Sequence, residues 1–316
     1  MPTASASSAA RAVGAAFDPL QPFTRAHALQ AGLTDRDLTR GPYRRLLHGI
    51  YVAAAVPDRP MIRARAALLT HDALAVATHV TAARLLGAPV PALPDEHVTV
   101  PDEELRRRRR GVRCHIASIE ATEVRVVDGV RFSCPERMFV ELTSLLGLVD
   151  LVAVGDWLVR WRHTTCAALV AFCSSSQDPH AKEARRAAAY VRERVDSPME
   201  TRLRMLIVLA GLPEPEVNLR IRDADGSLLM RVDLCYPRVR LAIEYDGRHH
   251  VELEEQWDRD VERRDDLDDS WRMLTVTSKG IYKNPEKTVD RVWRALRKRG
   301  YPRLRRPTDG WRPHFR

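Results

Sequence analysis

The stretch from Met230 to His250, MRVDLCYPRVRLAIEYDGRHH, most constrains what this chain can become. It begins and ends in runs suited to buried strands, Leu228 to Leu234 and Val239 to Tyr245, both rich in Val, Ile and Leu. Pro237 and its neighbours mark a tight connection between them. Acids are set into these apolar runs: Asp233 near the end of the first, Glu244 and Asp246 at the end of the second. A carboxylate in a core-type strand costs on the order of several kcal/mol unless something pairs it. Unit charges about 4 Å apart repel by roughly 1 kcal/mol in water and about 4 kcal/mol near a protein surface. A divalent cation resolves that conflict, and Mg²⁺ takes oxygen ligands such as carboxylates, water and phosphate. The competing reading is that Asp233 pairs with a nearby arginine while Glu244 and Asp246 simply end a strand.

The residues before this stretch extend the pattern. Ser197 is a good N-cap, Pro198 sits at the first helical position, and Glu200 at the third completes a capping box. Glu200 therefore has a local explanation as well as a functional one. Leu203, Leu206, Ile207 and Ala210 give this helix an apolar face, and Gly211-Leu212-Pro213 ends it. Val217 to Ile221 reads as a strand, and Asp223 to Gly226 as a hairpin turn into the Leu228 strand. Glu244 and Asp246, two apart, share one face of their strand.

The whole chain has 316 residues, enough for two or three domains. A formal net charge of +9 favours a polyanionic partner such as nucleic acid. The charge is carried mostly by arginine in an Ala-rich chain, so part of it reflects composition alone. The five cysteines form no CxxC pair, which argues against a zinc site and for reduced thiols in a cytoplasm. No 18-residue apolar run exists, so no membrane span is expected. The first 16 residues are small and Ser/Ala-rich and read as a disordered tail rather than a signal peptide.

Near the N-terminus, Thr24 to Ala31 predicts a short helix and Thr34 caps a second one ending near Arg40. Tyr43 to Val52 then predicts strand, turn and strand. Two short helices followed by a basic hairpin is the layout of a winged helix-turn-helix. Arg36 and Arg40 on the second helix, with Arg44 and Arg45 on the wing, are candidates to reach phosphates. Met61 to Ala77 and Thr81 to Leu86 read as helices. Residues 90–133 read as β-rich, with Asp128-Gly129 a hairpin turn signal, and are interrupted by the five arginines from Arg106 to Arg110 in an exposed loop. Pro135 to Arg194 reads as helical, with Glu141 and Asp156 as helix-surface charges. His27, His71, His79, His115 and His163 have no metal-ligand spacing and read as structural. Trp257 to Asp269 and Glu286 to Arg299 predict two further helices, and the basic, proline-containing tail after Pro302 reads as disordered.

Two resemblances follow from these motifs. Residues 20–90, through Arg45 to Val52 and Val80 to Gly87, loosely resemble the N-terminal winged helix of AbiEi-type antitoxins. Residues 196–300 resemble the very-short-patch-repair-like branch of the PD-(D/E)xK nuclease superfamily. The motifs are Ser197 to Arg204, Val232-Asp233-Leu234 and Ile243 to His250, with Arg263 to Leu267 and the strand Trp271 to Val276. This implies an α/β multidomain chain whose C-terminal part is a restriction-endonuclease-like α/β/α core with a mixed sheet. The expected division is a tail over 1–18, a winged helix over 19–90, an α+β region over 91–195, the nuclease-like domain over 196–300 and a basic tail over 301–316.

By that resemblance Asp233 and Glu244 become ligands of Mg²⁺ or Mn²⁺, with Glu200 a third carboxylate. The superfamily places lysine two residues after the second acid, and this chain has Asp246 there. Asp246 then becomes a further candidate ligand, with His249 or His250 as acid/base, since histidine titrates near neutrality. Lys279 is a candidate replacement cation, and Arg248 a candidate contact to the nucleic acid. The expected activity is metal-dependent hydrolysis of DNA phosphodiester bonds. The alternative is an inactive DNA-binding regulator or antitoxin-like factor that keeps the nuclease fold as a scaffold. RNA as substrate and a homodimer remain open.

Overall fold

The computed structural model describes residues 17–222, 228–247 and 271–315. The chain divides into two compact units. The first comprises the described residues up to 77, 94–120 and 126–132; the second comprises 78–93, 121–125 and the described residues from 133 onward.

In the first unit the N-terminal expectations hold closely. A short strand, β1 (Phe23–Thr24), leads into helix α1 (Arg25–Gln30), and α2 (Asp35–Arg40) follows the Gly32 turn. Thr34 caps α2 in a reciprocal capping box with Asp37, which satisfies two otherwise orphaned backbone donors. Strands β2 (Tyr43–Leu47) and β3 (Ile50–Ala53) form the hairpin, and the sheet order is β1-β3-β2. Phe23, Ala28 and Leu38 make a small core under it, with Tyr43 and Tyr51 packed alongside.

The expected helix from Met61 to Ala77 is shorter than its apolar content implies. Helix α3 spans Pro60–Leu68, and Val76–Ala77 is instead a strand, β4. Thr70 accounts for the stop, since its hydroxyl donates to the Ala67 carbonyl and competes with the helical ladder. β4 is the middle of a second sheet with β5 (Glu96–Val100), β6 (Val112–Ile116), β7 (Val124–Val127) and β8 (Val130–Ser133), in the order β6-β5-β4-β8-β7. Asp128 and Gly129 at the β7-β8 turn both have positive φ, 48° and 77°, the geometry of a primed hairpin turn. Arg106 to Arg110 are exposed, as like charges in a row require.

The second unit holds α4 (His79–Leu85), α5 (Pro135–Leu142), α6 (Leu148–Arg160), α7 (Cys166–Ser175), α8 (Ala181–Ala188) and α9 (Pro198–Leu209). It also holds a four-stranded sheet of β9 (Glu216–Arg222), β10 (Leu228–Tyr236), β11 (Leu241–Asp246) and β12 (Arg272–Thr277). The sheet order is β12-β11-β10-β9. β9, β10 and β11 run antiparallel, while β12 runs parallel to β11, so the sheet is mixed. After β12 come α10 (Ser278–Tyr282) and α11 (Pro285–Lys298). Leu203, Leu206 and Ile207 of α9 are fully buried, as are Leu234, Leu241 and Ile243 of the sheet and Val292 and Leu296 of α11.

Two acids depart from expectation. Glu141 and Asp156, read as surface charges, are 5% and 1% exposed. Asp156 on α6 ties the helical region to α9: its Oδ2 accepts from the Thr201 hydroxyl at 2.8 Å and from Arg204 Nη2 at 2.7 Å. Its Oδ1 accepts the Arg192 N–H at 2.7 Å. Arg204 is 0% exposed and also donates to the Tyr190 carbonyl and to Glu214. A helical period cannot tell a buried ion pair from a solvated face when both partners lie far apart in sequence.

The tail also departs from the disorder expected of a basic, proline-containing segment. Thr308 N–H donates to the Ala210 carbonyl at the end of α9, and Trp311 and Phe315 are buried. A Cβ on Gly310 would fall 2.6 Å from the Leu209 carbonyl oxygen, so this close approach requires glycine. Trp257 to Asp269, the Asp223–Gly226 turn and residues 1–16 lie outside the described residues. Among the described residues, no helix is long and apolar enough to cross a membrane.

Because the change removes the buried carboxylate that pairs with the fully buried Arg204 guanidinium, Asp156→Ala should cost about 3–5 kcal/mol of unfolding free energy. Denaturant titration checks this, and a loss no larger than that of an exposed Asp→Ala change would contradict it.

Candidate metal centre

The centre forms where β10 and β11 part. Their backbone ladder pairs Tyr236 with Leu241, Cys235 with Ala242 and Leu234 with Ile243. One step further along that register Asp233 stands opposite Glu244, and opposed side chains of an antiparallel pair share a face. Here the Asp233 carboxylate replaces a backbone acceptor, its Oδ2 taking the Tyr245 N–H at 2.8 Å. Asp246 follows two residues on, on the same face as Glu244. Across the parallel pairing, Glu244 is in register with Thr275 and Asp246 with Thr277. Asp233, Glu244 and Asp246 are all half-buried.

Glu200 approaches from the first turn of α9. Ser197 caps the helix by accepting the Glu200 N–H at 3.2 Å. The Glu200 carboxylate reaches back to the N–H of Asp196, one residue before the cap, at 3.1 Å. Its Oε2 also accepts from Asn218 Nδ2 at 3.1 Å. Burial raises the Glu200 carboxyl from its ordinary 4.5 to about 7, and the charge of Asp233 adds to the rise. Burial raises the Asp233 carboxyl as well; the Tyr245 N–H opposes that rise and Glu244 reinforces it. Glu200, Asp233 and Glu244 thus form a chain of mutually repelling acids, with Asp233 in the middle.

Three residues of this neighbourhood were not legible as site residues. Asn218, buried in β9, holds Glu200 with its amide nitrogen and accepts Arg231 Nε at 3.0 Å on its amide oxygen. Its φ of 50° lies in the left-handed region, which asparagine tolerates better than the β-branched residues favoured in strands. Arg231 also pairs with Asp196. The strand alternates polar and apolar residues, EVNLRIR, so Asn218 occupies an ordinary polar position and gives no local signal.

The remaining candidates divide. Lys279 is exposed in α10, two residues past Thr277 and at the same end of the sheet as Asp246, but forms no ion pair among the described residues. Arg36, Arg40 and Arg45 are exposed, whereas half-buried Arg44 donates to the Val56 carbonyl at 3.0 Å. Arg248, His249 and His250 lie outside the described residues. His115, read as isolated, has its Nε2 2.9 Å from Nδ1 of His97.

The donor set fits a hard divalent cation. It supplies carboxylate oxygens from adjoining strands whose repulsion a cation would relieve, as Mg²⁺ or Mn²⁺ sites require. Asp233, Glu244 and Glu200 would hold it, with Asp246 at the rim.

No protein-family model matches the chain. Two uncharacterized proteins from strains of Mycobacterium tuberculosis are each 28% identical to it over 114 residues. The matched segment spans 36% of this chain and 42% of each relative.

Glu200 binds its proton more tightly folded than unfolded, so its contribution to stability is fully present below 4.5 and is lost as pH rises through about 7. Metal binding must displace that proton. Mg²⁺ affinity, measured by calorimetry, should therefore rise from about pH 6 to about pH 8, and Glu200→Gln should flatten the rise. A flat wild-type profile would contradict the assignment.

Proposed function

We propose that this chain is a metal-dependent DNA endonuclease that hydrolyses phosphodiester bonds, with a winged-helix-like segment docking the duplex. The observation that carries the reading is that Asp233 and Glu244 stand opposite each other one step beyond the β10–β11 ladder, with Glu200 raised to about 7 behind them. The order helix, antiparallel three-strand meander and parallel fourth strand agrees with a PD-(D/E)xK core. Exposed Arg36, Arg40 and Arg45 agree with phosphate contacts from the N-terminal segment.

A bound Mg²⁺ would polarise the scissile phosphate and acidify a water for in-line attack. The chain's own residues prepare for this. Asp233 is fixed by the Tyr245 N–H and Glu200 by Asn218 and Asp196, so two donors are oriented before any ligand arrives. Glu200, titrating near neutrality, is able to give up its proton to solvent as the site loads and to hold one when it empties.

The second reading is a DNA-binding regulator with an inactive centre. Asp246, where the superfamily has lysine, favours it, because an added acid does not stabilise charge on a phosphate. Supercoiled plasmid with Mg²⁺ or Mn²⁺ separates the two, with single-stranded DNA and RNA as further substrates. The nuclease reading expects nicking or cutting that falls at least about a hundredfold in Asp233→Ala and Glu244→Ala, since each removes a ligand. Equal activity in both variants would mark the cleavage as a contaminant's, and duplex binding without metal binding would select the regulator.

A further inference from the structure

Roughly 10 Å up the strands from Glu244, by strand rise, the sheet edge carries a second charged feature, of opposite sign. A cleft of about 820 Å³ opens between the start of β11 and β12 and the flank of α11. Arg238 and Arg240 come from the turn before β11, Arg272 from β12, and Arg291, Arg294 and Lys298 from α11. No acidic residue lines it among the described residues. Its base is built from the chain itself. Arg299 donates to the carbonyls of Val239 and Arg240, and Arg291 to that of Thr275, so two guanidinium groups brace the walls.

The end of α11 explains part of this charge, since basic side chains in a last turn complement the helix dipole. That account covers Lys298 but not Arg238, Arg240 or Arg272, which belong to other elements. None of Arg238, Arg240, Arg272 and Lys298 has an ion-pair partner among the described residues, and all four are exposed. Cations gathered this closely repel one another, and a bound polyanion would relieve the cost. The charge continues around α11. Arg294 and Lys298 also line a second cleft of about 680 Å³ with Arg297, Arg306, Trp293 and one acid, Asp290, which pairs with Arg294 at 2.9 Å; the Arg297 guanidinium lies 5.4 Å over the Trp293 ring, and cations still outnumber the acid four to one. Two basic clefts sharing one helix make a track, whereas a small-anion pocket would be single and closed.

We propose that this track along α11 binds the phosphate backbone of a nucleic acid, as a second docking surface separate from the carboxylate centre. It rests on the nucleic-acid part of the reading above and not on hydrolysis. The interactions are charge pairings with phosphate and carry no sequence information.

Duplex binding by the full chain in metal-free buffer, followed by fluorescence anisotropy across a salt series, tests it. In Arg240→Gln/Arg272→Gln/Lys298→Gln, the slope of log affinity against log salt should become shallower by about 2–3, at about 0.9 for each phosphate the variant no longer neutralises. The matching Arg240→Lys/Arg272→Lys variant keeps the charge and should keep most of the slope. An unchanged slope in the glutamine variant, with the protein folded, overturns the proposal. So does an equal loss in the lysine variant, which would make the effect one of shape and not charge. Loss of inorganic pyrophosphate binding with duplex binding intact would make it a small-anion site and likewise overturn it. Mg²⁺ calorimetry on the same proteins keeps the two ideas apart: absent metal binding in all of them would sink the carboxylate centre and leave the track standing.

Discussion

The repulsion between Asp233 and Glu244 is the constraint around which the second unit is arranged. Strands β10 and β11 pair normally until these acids meet, and the backbone ladder stops there. Asp233 then spends one oxygen on the Tyr245 N–H, which holds the strands at that opening. The hydrogen bond satisfies a backbone donor but does not neutralise the charge. Burial and Glu244 both push the Asp233 carboxyl toward its protonated form. Burial, with the charge of Asp233 added to it, shifts Glu200 to about 7. Stability alone would not select Glu200 and Asp233 in such a position, because apolar or amide side chains of similar size avoid the desolvation cost.

Such a cluster needs a stiff support, and the surrounding bonds supply one. Ser197 and the Asp196 N–H fix the start of α9, and the buried Asp156–Arg204 pair anchors the same helix one turn later. At its far end the C-terminal segment docks through the Thr308 N–H on the Ala210 carbonyl and the close approach of Gly310 to the Leu209 carbonyl. α9 is therefore held at its start, its middle and its end, which fixes where Glu200 points. Asn218 links that helix to the sheet by bonding Glu200 and accepting from Arg231.

Much of this was legible in the sequence because it is local. The caps at Thr34 and Ser197, the Asp128-Gly129 turn and the apolar runs of β10 and β11 each declare themselves within a few residues. The acids of the centre stood out because they break an apolar pattern. What stayed hidden depends on distant partners. Asp156 looks like a surface charge until Arg204, 48 residues on, is brought against it. Asn218 looks like a weak strand residue until Glu200 arrives. The basic track combines a turn, an edge strand and a helix, so no single segment signals it, and the arginine-rich composition masks each part. The tail reads as disordered because its charge outweighs two aromatic anchors, Trp311 and Phe315, which are enough to dock it.

The most direct test is crystallographic. A crystal of the full chain soaked in Mn²⁺, with data collected at the manganese edge, should give an anomalous peak bridging the carboxylates of Asp233 and Glu244. If the peak is absent while these oxygens are occupied by arginine side chains, the acids are structural and the account of the centre is wrong.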